Sequence, residues 1–210
     1  MTCPKAAWLS NQKAQEPEIQ EEKHMCIICV SPAKVRQPSM KTIRTMFERN
    51  PHGAGYMYAR DGKVHISKGY INIDDFLSAL HDEHFTAKDP VVYHFRISTQ
   101  AGVNPQMTHP FPLSNQRAHM KALDVDCRCG VAHNGIIRLT TDPTNREYSD
   151  TAIFITDYLS AIIRRPDDLK DNGHRHGETE QKHHYVSLAP GTAVAKDLQK
   201  YEKRHKAIAE

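Results

Sequence analysis

Residues 25–30 (MCIICV) form a continuous apolar run directly after 24 residues that are rich in Gln, Glu and Lys. Those first residues carry too few large apolar side chains to bury a core of their own. The apolar run has the length of a strand and stops at Pro32, which favours a buried β-strand. We therefore expect residues 1–25 to be a disordered extension or a propeptide, and the folded part to begin at Cys26.

Strand and helix patterns follow one another at short intervals from this point. Asp61-Gly62 can supply the positive φ angles of a tight turn and joins two strand-like segments into a predicted β-hairpin. Each of three predicted helices is preceded by a residue that can cap it. The predicted strands are residues 25–30, 53–59, 63–70, 90–97 and 130–137, and the predicted caps are Ser39, Asp74 and Ser149. This order of elements predicts an α+β layered domain rather than an alternating α/β one.

The composition changes after residue 165. Residues 166–210 are polar and rich in histidine, and they contain at most one predicted strand, at residues 185–188. The closing residues 193–209 favour a helix, although only weakly. We therefore divide the chain into residues 1–25, a domain over residues 26–165 and a C-terminal segment over residues 166–210.

Composition argues against several classes of protein. The formal net charge is only +3 and the basic residues are spread along the chain, so no nucleic-acid partner is predicted. No stretch approaches the roughly 18 apolar residues that a membrane helix needs, and the first 24 residues lack the apolar core of a signal peptide. Five cysteines, an odd number, favour reduced thiols over a disulfide framework. We expect a cytoplasmic protein with no membrane partner.

Four short motifs carry the chemistry of this sequence: MCII at residues 25–28, HFRIST at 94–99, AHNGII at 132–137 and YSDTAIF at 148–154. In this order and on these elements, they resemble the glutaminase domain of class II glutamine amidotransferases, which are N-terminal nucleophile hydrolases. PHGAGYMY at 51–58 and THPF at 108–111 extend the resemblance. It implies an α+β fold of the four-layer αββα type, which the C-terminal segment would leave incomplete. It also implies release of ammonia from glutamine without a metal or organic cofactor.

Cys26 would be the nucleophile of such a domain. In this family the base is the cysteine's own α-amine, so Cys26 can act only if residues 1–25 are absent, through a start at Met25 with methionine removal or through propeptide cleavage. An α-amine titrates near about 7.7–8.0, which leaves a useful fraction unprotonated at neutral pH. Ile27 departs from the glycine that most members have after the cysteine. Without the resemblance, Cys26 is an ordinary buried thiol.

Two charged residues would bind the amino-acid end of glutamine. Arg96 lies near the end of a buried strand, where a charge needs a partner, and the resemblance assigns it the α-carboxylate. Asp150 follows the Ser149 cap, and the resemblance assigns it the α-ammonium group, with Thr99 lining the same pocket. Taken alone, Arg96 fits a structural ion pair equally well, and an acidic residue in the first turn of a helix is favoured by the helix dipole.

Asn134-Gly135 would supply the oxyanion hole. The resemblance assigns this role to the Asn134 side-chain amide and the Gly135 backbone N–H. An Asn-Gly pair is also typical of a hairpin turn, but the apolar residues Ile136 and Ile137 directly after it favour a continuing strand.

Two further interpretations remain open. A non-catalytic relative of the family would bind an amino acid through Arg96 and Asp150 without ever freeing Cys26. A metal or thiol protein would use the Cys26/Cys29 and Cys127/Cys129 pairs with histidines, but the first pair lies on a strand that points its sulfurs to opposite faces. For the amidotransferase, the expected partner is glutamine or a related amide. Either a separate synthase subunit accepts the ammonia, or the enzyme simply hydrolyses an amide.

Overall fold

The computed structural model describes residues 25–97, 103–137, 147–163, 184–189 and 192–196. The fold is a mixed α+β fold with two antiparallel sheets and few helices. Its strands are β1 Ile27–Ser31, β2 Ala54–Arg60, β3 Lys63–Tyr70, β4 Val91–Phe95, β5 Phe111–Pro112, β6 Asp124–Cys127, β7 Gly130–Asn134, β8 His184–Ala189 and β9 Thr192–Lys196. Sheet A has the order β1-β4-β2-β3-β6, and sheet B has the order β5-β7-β8-β9.

Short helices connect these strands. They are α1 Met40–Arg49, α2 Ile73–Asp82, α3 Arg117–Met120 and α4 Asp150–Phe154, which continues through a π-helical segment, Ile155–Leu159, into α5 Ser160–Ile162. A 3-10 turn spans Pro105–Met107. Within the described part of the chain, the helices are too short or too polar to cross a membrane.

Local signals explain where these elements begin. The Ser39 side chain accepts a hydrogen bond from the backbone N–H of Thr42 and caps α1, as predicted. Ser149 likewise caps α4 and accepts from Ala152. The prediction that Asp74 caps α2 is wrong by two residues, because Asn72 takes that place and its side chain accepts from the N–H of Asp74.

The predicted hairpin is confirmed. Strands β2 and β3 pair from Arg60 opposite Lys63 along their lengths, with Asp61 and Gly62 between them. Both turn residues have positive φ, 52° and 75°, which is the backbone of the turn type that matches the twist of a two-stranded ribbon.

One face of sheet A is covered by α1 and α2. Side chains of β2 at alternating positions, Ala54, Tyr56 and Tyr58, join Phe47 of α1 and Phe76 of α2 in one buried cluster. This alternation is the two-residue period of a strand with one face directed at a helix layer. The helices therefore bury their apolar stripes against this sheet.

The other face of sheet A meets sheet B. Met57 of β2 and Val92 of β4 pack with Ala132 of β7 in a second cluster. On the far side of sheet B, Val131 of β7 joins a third cluster with the helical residues Ala152, Ile155 and Leu159. Neighbouring residues of β7 thus pack into two different apolar clusters, one on each face of sheet B.

The strand predicted at residues 130–137 is shorter than expected. Strand β7 ends at Asn134, and Gly135 has a φ of +140°, a conformation that L side chains rarely adopt. The expectation that Ile136 and Ile137 continue the strand is therefore wrong. The chain turns at Gly135 instead, and Ile136 is 59% exposed.

The C-terminal segment contributes more strand than its composition indicates. The expectation of at most one strand is wrong, because β8 and β9 both lie there and pair antiparallel with each other. The helix expected over residues 193–209 is also wrong where the structure describes this segment, since residues 192–196 form β9. Strand β8 pairs with β7, so the C-terminal segment extends the sheet that carries Asn134.

Candidate functional site

Cys26 and Arg96 lie side by side at one end of sheet A. Ile27, the first residue of β1, pairs with Phe95, the last residue of β4, so the antiparallel register places Cys26 opposite Arg96. Because side chains alternate along strands, Cys26 is on the same face as Ile28, and Arg96 on the same face as Val92, which is the face toward sheet B. The backbone of Arg96 is fixed by hydrogen bonds with Gly53 and His52.

Asn134 reaches the same region from sheet B. It lies two residues after Ala132, whose side chain packs toward sheet A, so the strand period directs Asn134 the same way. The buried ring of His94 on β4 lies 3.2 Å, through Nε2, from the carbonyl oxygen of His133 on β7. This contact joins the two sheets one residue from Asn134 and two residues from Arg96.

Asp150 connects α4 to the turn after β7. Its Oδ2 accepts a hydrogen bond from the backbone N–H of Ile137 at 2.7 Å, and its Oδ1 accepts from the N–H of Thr151 at 2.7 Å. Residues 134–137 are therefore tied to the start of α4. A carboxylate has about four acceptor positions, so these two bonds leave room for a ligand ammonium group.

Three of the predicted site residues influence one another electrostatically. Burial raises the pKa of the Cys26 thiol, the positive charge of Arg96 opposes this shift, and the negative charge of Asp150 adds to it. The Cys26 thiol also donates to the carbonyl oxygen of Ile97, with a Sγ to O distance of 3.8 Å. Burial lowers the pKa of Arg96, while Cys26 and Asp150 act to raise it. Cys26 directly before β1, Arg96 directly after β4 and Asp150 at the start of α4 are thus near enough to influence one another's charge.

Two polar atoms at this site are buried without a hydrogen-bond partner in the described part of the chain. They are Nη1 of the Arg96 guanidinium and Oδ1 of the Asn134 amide. Buried polar atoms are paired in the great majority of cases, so exceptions mark places where a ligand or water belongs. A guanidinium with a free N–H can form the forked pair of hydrogen bonds that a carboxylate accepts.

Asn50 is a contact that sequence reasoning missed. Its buried side chain donates through Nδ2 to the carbonyl oxygens of Met25, at 2.8 Å, and Phe95, at 3.3 Å. It therefore holds the Met25–Cys26 peptide bond against the end of β4. The Asn50-Pro51 pair in the sequence indicates only the end of a helix.

A group of three buried histidines adjoins the site and was also missed, although His94 and His133 stand inside the quoted motifs. The ring centroids of His94 and His109 are 4.4 Å apart, and those of His109 and His133 are 6.5 Å apart. Burial lowers the pKa of His94 to about 3 and that of His109 well below its usual value, so both rings are neutral at physiological pH. Because uncharged histidines resemble other apolar ring side chains, no sequence signal separates them from core residues.

The remaining predicted residues divide into two groups. Thr99 lies outside the described residues. Cys29 packs in the helix-facing cluster, whereas Ile28 and Val30 pack toward sheet B, which agrees with opposite faces for the two sulfurs of Cys26 and Cys29. Burial raises the pKa of Cys127 and of Cys129 to about 12. Among the described residues, no group of three or more His, Cys, Asp or Glu side chains is arranged to hold a metal ion.

Comparison with known proteins adds no family to these observations. No protein-family model matches the chain, and no curated protein matches it.

Proposed function

We propose that this chain is a glutamine amidohydrolase of the class II glutamine amidotransferase type, with a cysteine nucleophile at the N-terminus of the mature protein. The observation that carries the proposal is the convergence of Cys26, Arg96 and Asp150, with an unpartnered buried N–H on the guanidinium. A thiol beside a cation and an anion matches a substrate that carries both charges of an amino acid and an amide at its far end.

The proposed reaction begins at the Cys26 sulfur. Its proton passes to the free α-amine, and the sulfur attacks the side-chain amide carbon of glutamine. The Asn134 side-chain amide and the Gly135 backbone N–H hydrogen-bond to the oxygen of the tetrahedral intermediate; one such donor contributes on the order of 10²–10³ in rate. The protonated α-amine returns this proton to the amide nitrogen, which leaves as ammonia, and water then hydrolyses the thioester to glutamate and the free thiol.

Arg96 and Asp150 hold the amino-acid end of the substrate. The guanidinium binds the α-carboxylate, and the carboxylate of Asp150 receives the α-ammonium group. The tie from Asp150 to the N–H of Ile137 supports this assignment, because it links substrate binding to the segment that contains the oxyanion donors. Thr99 belongs to the same pocket in this proposal.

The proposed fold is the four-layer αββα sandwich of N-terminal nucleophile hydrolases. Its support is the three clusters, which place helices against sheet A, sheet A against sheet B, and sheet B against the helix that begins at Asp150. Strands β8 and β9 extend sheet B in this arrangement, as a sandwich of this type requires.

The ammonia is either delivered to a separate synthase subunit or released by simple hydrolysis of an amide. The described residues contain no glycine-rich phosphate loop that would indicate a synthase within the same domain.

The test compares proteins expressed from Met1 and from Met25. Mass spectrometry of the intact chain gives the mature N-terminus, and glutamate release with labelling by a glutamine-analogue electrophile gives the activity. We expect turnover and labelling only where Cys26 is the first residue. Cys26→Ala should abolish both, whereas Cys29→Ala, three residues later in β1 and on the opposite face, should retain both. A chain with a free Cys26 that neither labels nor hydrolyses glutamine would remove the mechanism.

One observation favours a second candidate, a non-catalytic amino-acid-binding relative. With Met25 in place, the α-nitrogen of Cys26 is an amide and burial raises the pKa of the thiol, so no base is at hand. Calorimetric binding of glutamine to the Met1 form without turnover, together with an intact Met25–Cys26 bond in the purified protein, would support this candidate over the amidohydrolase.

A further inference from the structure

A series of buried hydrogen bonds joins β4, β7 and α4 beside the proposed site. The Nε2 of His94 contacts the carbonyl oxygen of His133 at 3.2 Å, and the Nδ1 of His133 contacts the hydroxyl of Thr151 at 3.0 Å. The three side chains are at most 1% exposed. A carbonyl oxygen only accepts, so His94 carries its proton on Nε2 and donates to sheet B.

Each residue of this hydrogen-bonded series is a near neighbour of a proposed site residue. His94 precedes Arg96 by two residues on the same face of β4, and His133 directly precedes Asn134. Thr151 directly follows Asp150. These hydrogen bonds therefore link the three elements next to which the substrate-binding and oxyanion groups lie.

Thr151 connects this hydrogen-bonded series to the charged carboxylate of Asp150. Its hydroxyl lies 3.4 Å from Oδ1 of Asp150, and its N–H donates to the same oxygen at 2.7 Å. A hydroxyl has one hydrogen to donate. If the Nδ1 of His133 carries a proton, the Thr151 hydroxyl accepts from it and can give its own hydrogen to Asp150; if not, it donates to His133.

We infer that His133 and Thr151 are positioning residues for the amino-acid end of the substrate: they orient the Asp150 carboxylate without touching the substrate. This inference rests on the proposed function. Two apolar residues in place of His133 and Thr151 would fill the same buried space, but they would not direct a hydrogen bond at Asp150, so the orientation of its carboxylate would lose one constraint.

The test removes the Thr151 hydroxyl with little change of shape. We expect Thr151→Val to raise KM for glutamine by about tenfold, the effect of losing one buried hydrogen bond, with kcat changed by less than about threefold. Thr151→Ser keeps the hydroxyl and should restore KM. His133→Leu should resemble Thr151→Val, and His133→Asn, which can place an amide near the Nδ1 position, should resemble the parent.

Thr156→Val is the matched control. Thr156 is also buried in the helical segment, but its hydroxyl bonds to Ile153 and Asp157 and does not reach Asp150. A second control is glutaramate, which has the amide and the carboxylate of glutamine but no α-ammonium group. Because the proposed role of Asp150 is to bind the ammonium group, Thr151→Val should leave kcat/KM for glutaramate within about twofold of the parent.

Three results separate the inference from the proposed function. If the parent hydrolyses glutamine and Thr151→Val leaves KM unchanged, or lowers activity on glutamine and glutaramate equally, the positioning role is overturned and the proposed function stands. An equal loss in Thr156→Val also overturns the role, because it shows a general effect of helix packing. If the parent neither hydrolyses nor binds glutamine, the proposed function falls, and the inference falls with it.

Discussion

The carboxylate of Asp150 accepts two backbone hydrogen bonds within the protein, and one of them comes from Ile137 on a different segment. Its position in the first turn of a helix is predictable from the sequence, because an acid there is favoured by the helix dipole. The bond to Ile137 is not, since it depends on the turn that the chain makes at Gly135. A residue that local rules explain thus has a second role that only long-range contacts create.

His94 allows a test of buried charge at the residue scale. Its pKa falls to about 3 in the folded protein because of burial, and the positive charge of Arg96 acts in the same direction. In the unfolded chain this histidine binds a proton near pH 6.5, whereas in the folded protein it does so only near pH 3. The free energy of unfolding therefore decreases as the pH falls from about 6.5 to about 3. The full contribution of the neutral ring to stability is present above about pH 6.5. We expect His94→Gln, which keeps a donor for His133, to reduce the slope by about 1.4 kcal/mol per pH unit between pH 6 and 5.

The measurement is urea unfolding at several pH values between 5 and 7.5. His81→Gln, at a side chain that is 77% exposed, is the control and should leave the slope of the parent unchanged. His109 shifts in the same direction, so some slope should remain in the His94 variant. Identical slopes in the parent and His94→Gln would contradict a buried neutral ring.

At the scale of elements, strand β2 has a glycine where another segment crosses it. A Cβ added at Gly55 would collide with the backbone carbonyl oxygen of His109 and lie 2.6 Å from the Cβ of Lys68. A Cβ at Gly130 would instead meet the sulfur of Met57 at 2.6 Å, at the end of a flexible side chain. The two glycines therefore lie in crowded places of different stiffness.

Gly55→Ala should lower the free energy of unfolding by about 1–3 kcal/mol, the range for overpacking, because a backbone carbonyl cannot move aside without displacing its loop. Gly130→Ala should cost less, since Met57 can change rotamer. Chemical denaturation of both variants against the parent checks the order. A larger loss in Gly130→Ala would mean that the facing sheets tolerate less movement than the loop that carries His109.

At the scale of the whole molecule, the C-terminal strands decide whether sheet B is more than a pair of short strands. Strand β8 pairs with β7 on one side and β9 on the other, so it lies inside the sheet as described. Val186 pairs with Ala132 of β7 and with Ala195 of β9. The residues around these two strands are polar, so the composition of residues 166–210 as a whole does not indicate a pair of strands.

Val186→Pro should therefore destabilise the protein on the order of 3 kcal/mol, because proline removes a ladder donor and distorts a strand that is paired on both sides. Thr192→Pro is the matched control, since it places proline at the first residue of β9, the last strand in the described order of sheet B. Thermal unfolding checks both. A Val186→Pro protein as stable as the parent would show that residues 166–210 contribute little to the folded molecule.

Several elements were predictable because their causes are local. The caps at Ser39 and Ser149 and the turn at Asp61-Gly62 depend on residues a few positions apart, and the structure has each of them. The opposite faces of Cys26 and Cys29 follow from the period of a strand in the same way.

Tertiary structure decided the rest. Three features depend on partners far away in the chain: the end of β7 at Asn134, the strands of the C-terminal segment, and the hydrogen bond from Asn50 to the Met25 carbonyl oxygen. The same holds for the meeting of Cys26, Arg96 and Asp150, and for the buried bonds among His94, His133 and Thr151. The sequence by itself determined which side chains are present and the local elements that carry them. Their arrangement in space came from the antiparallel register and the contact between the sheets, because hydrogen bonds and burial at that range depend on distance in space rather than on separation along the chain.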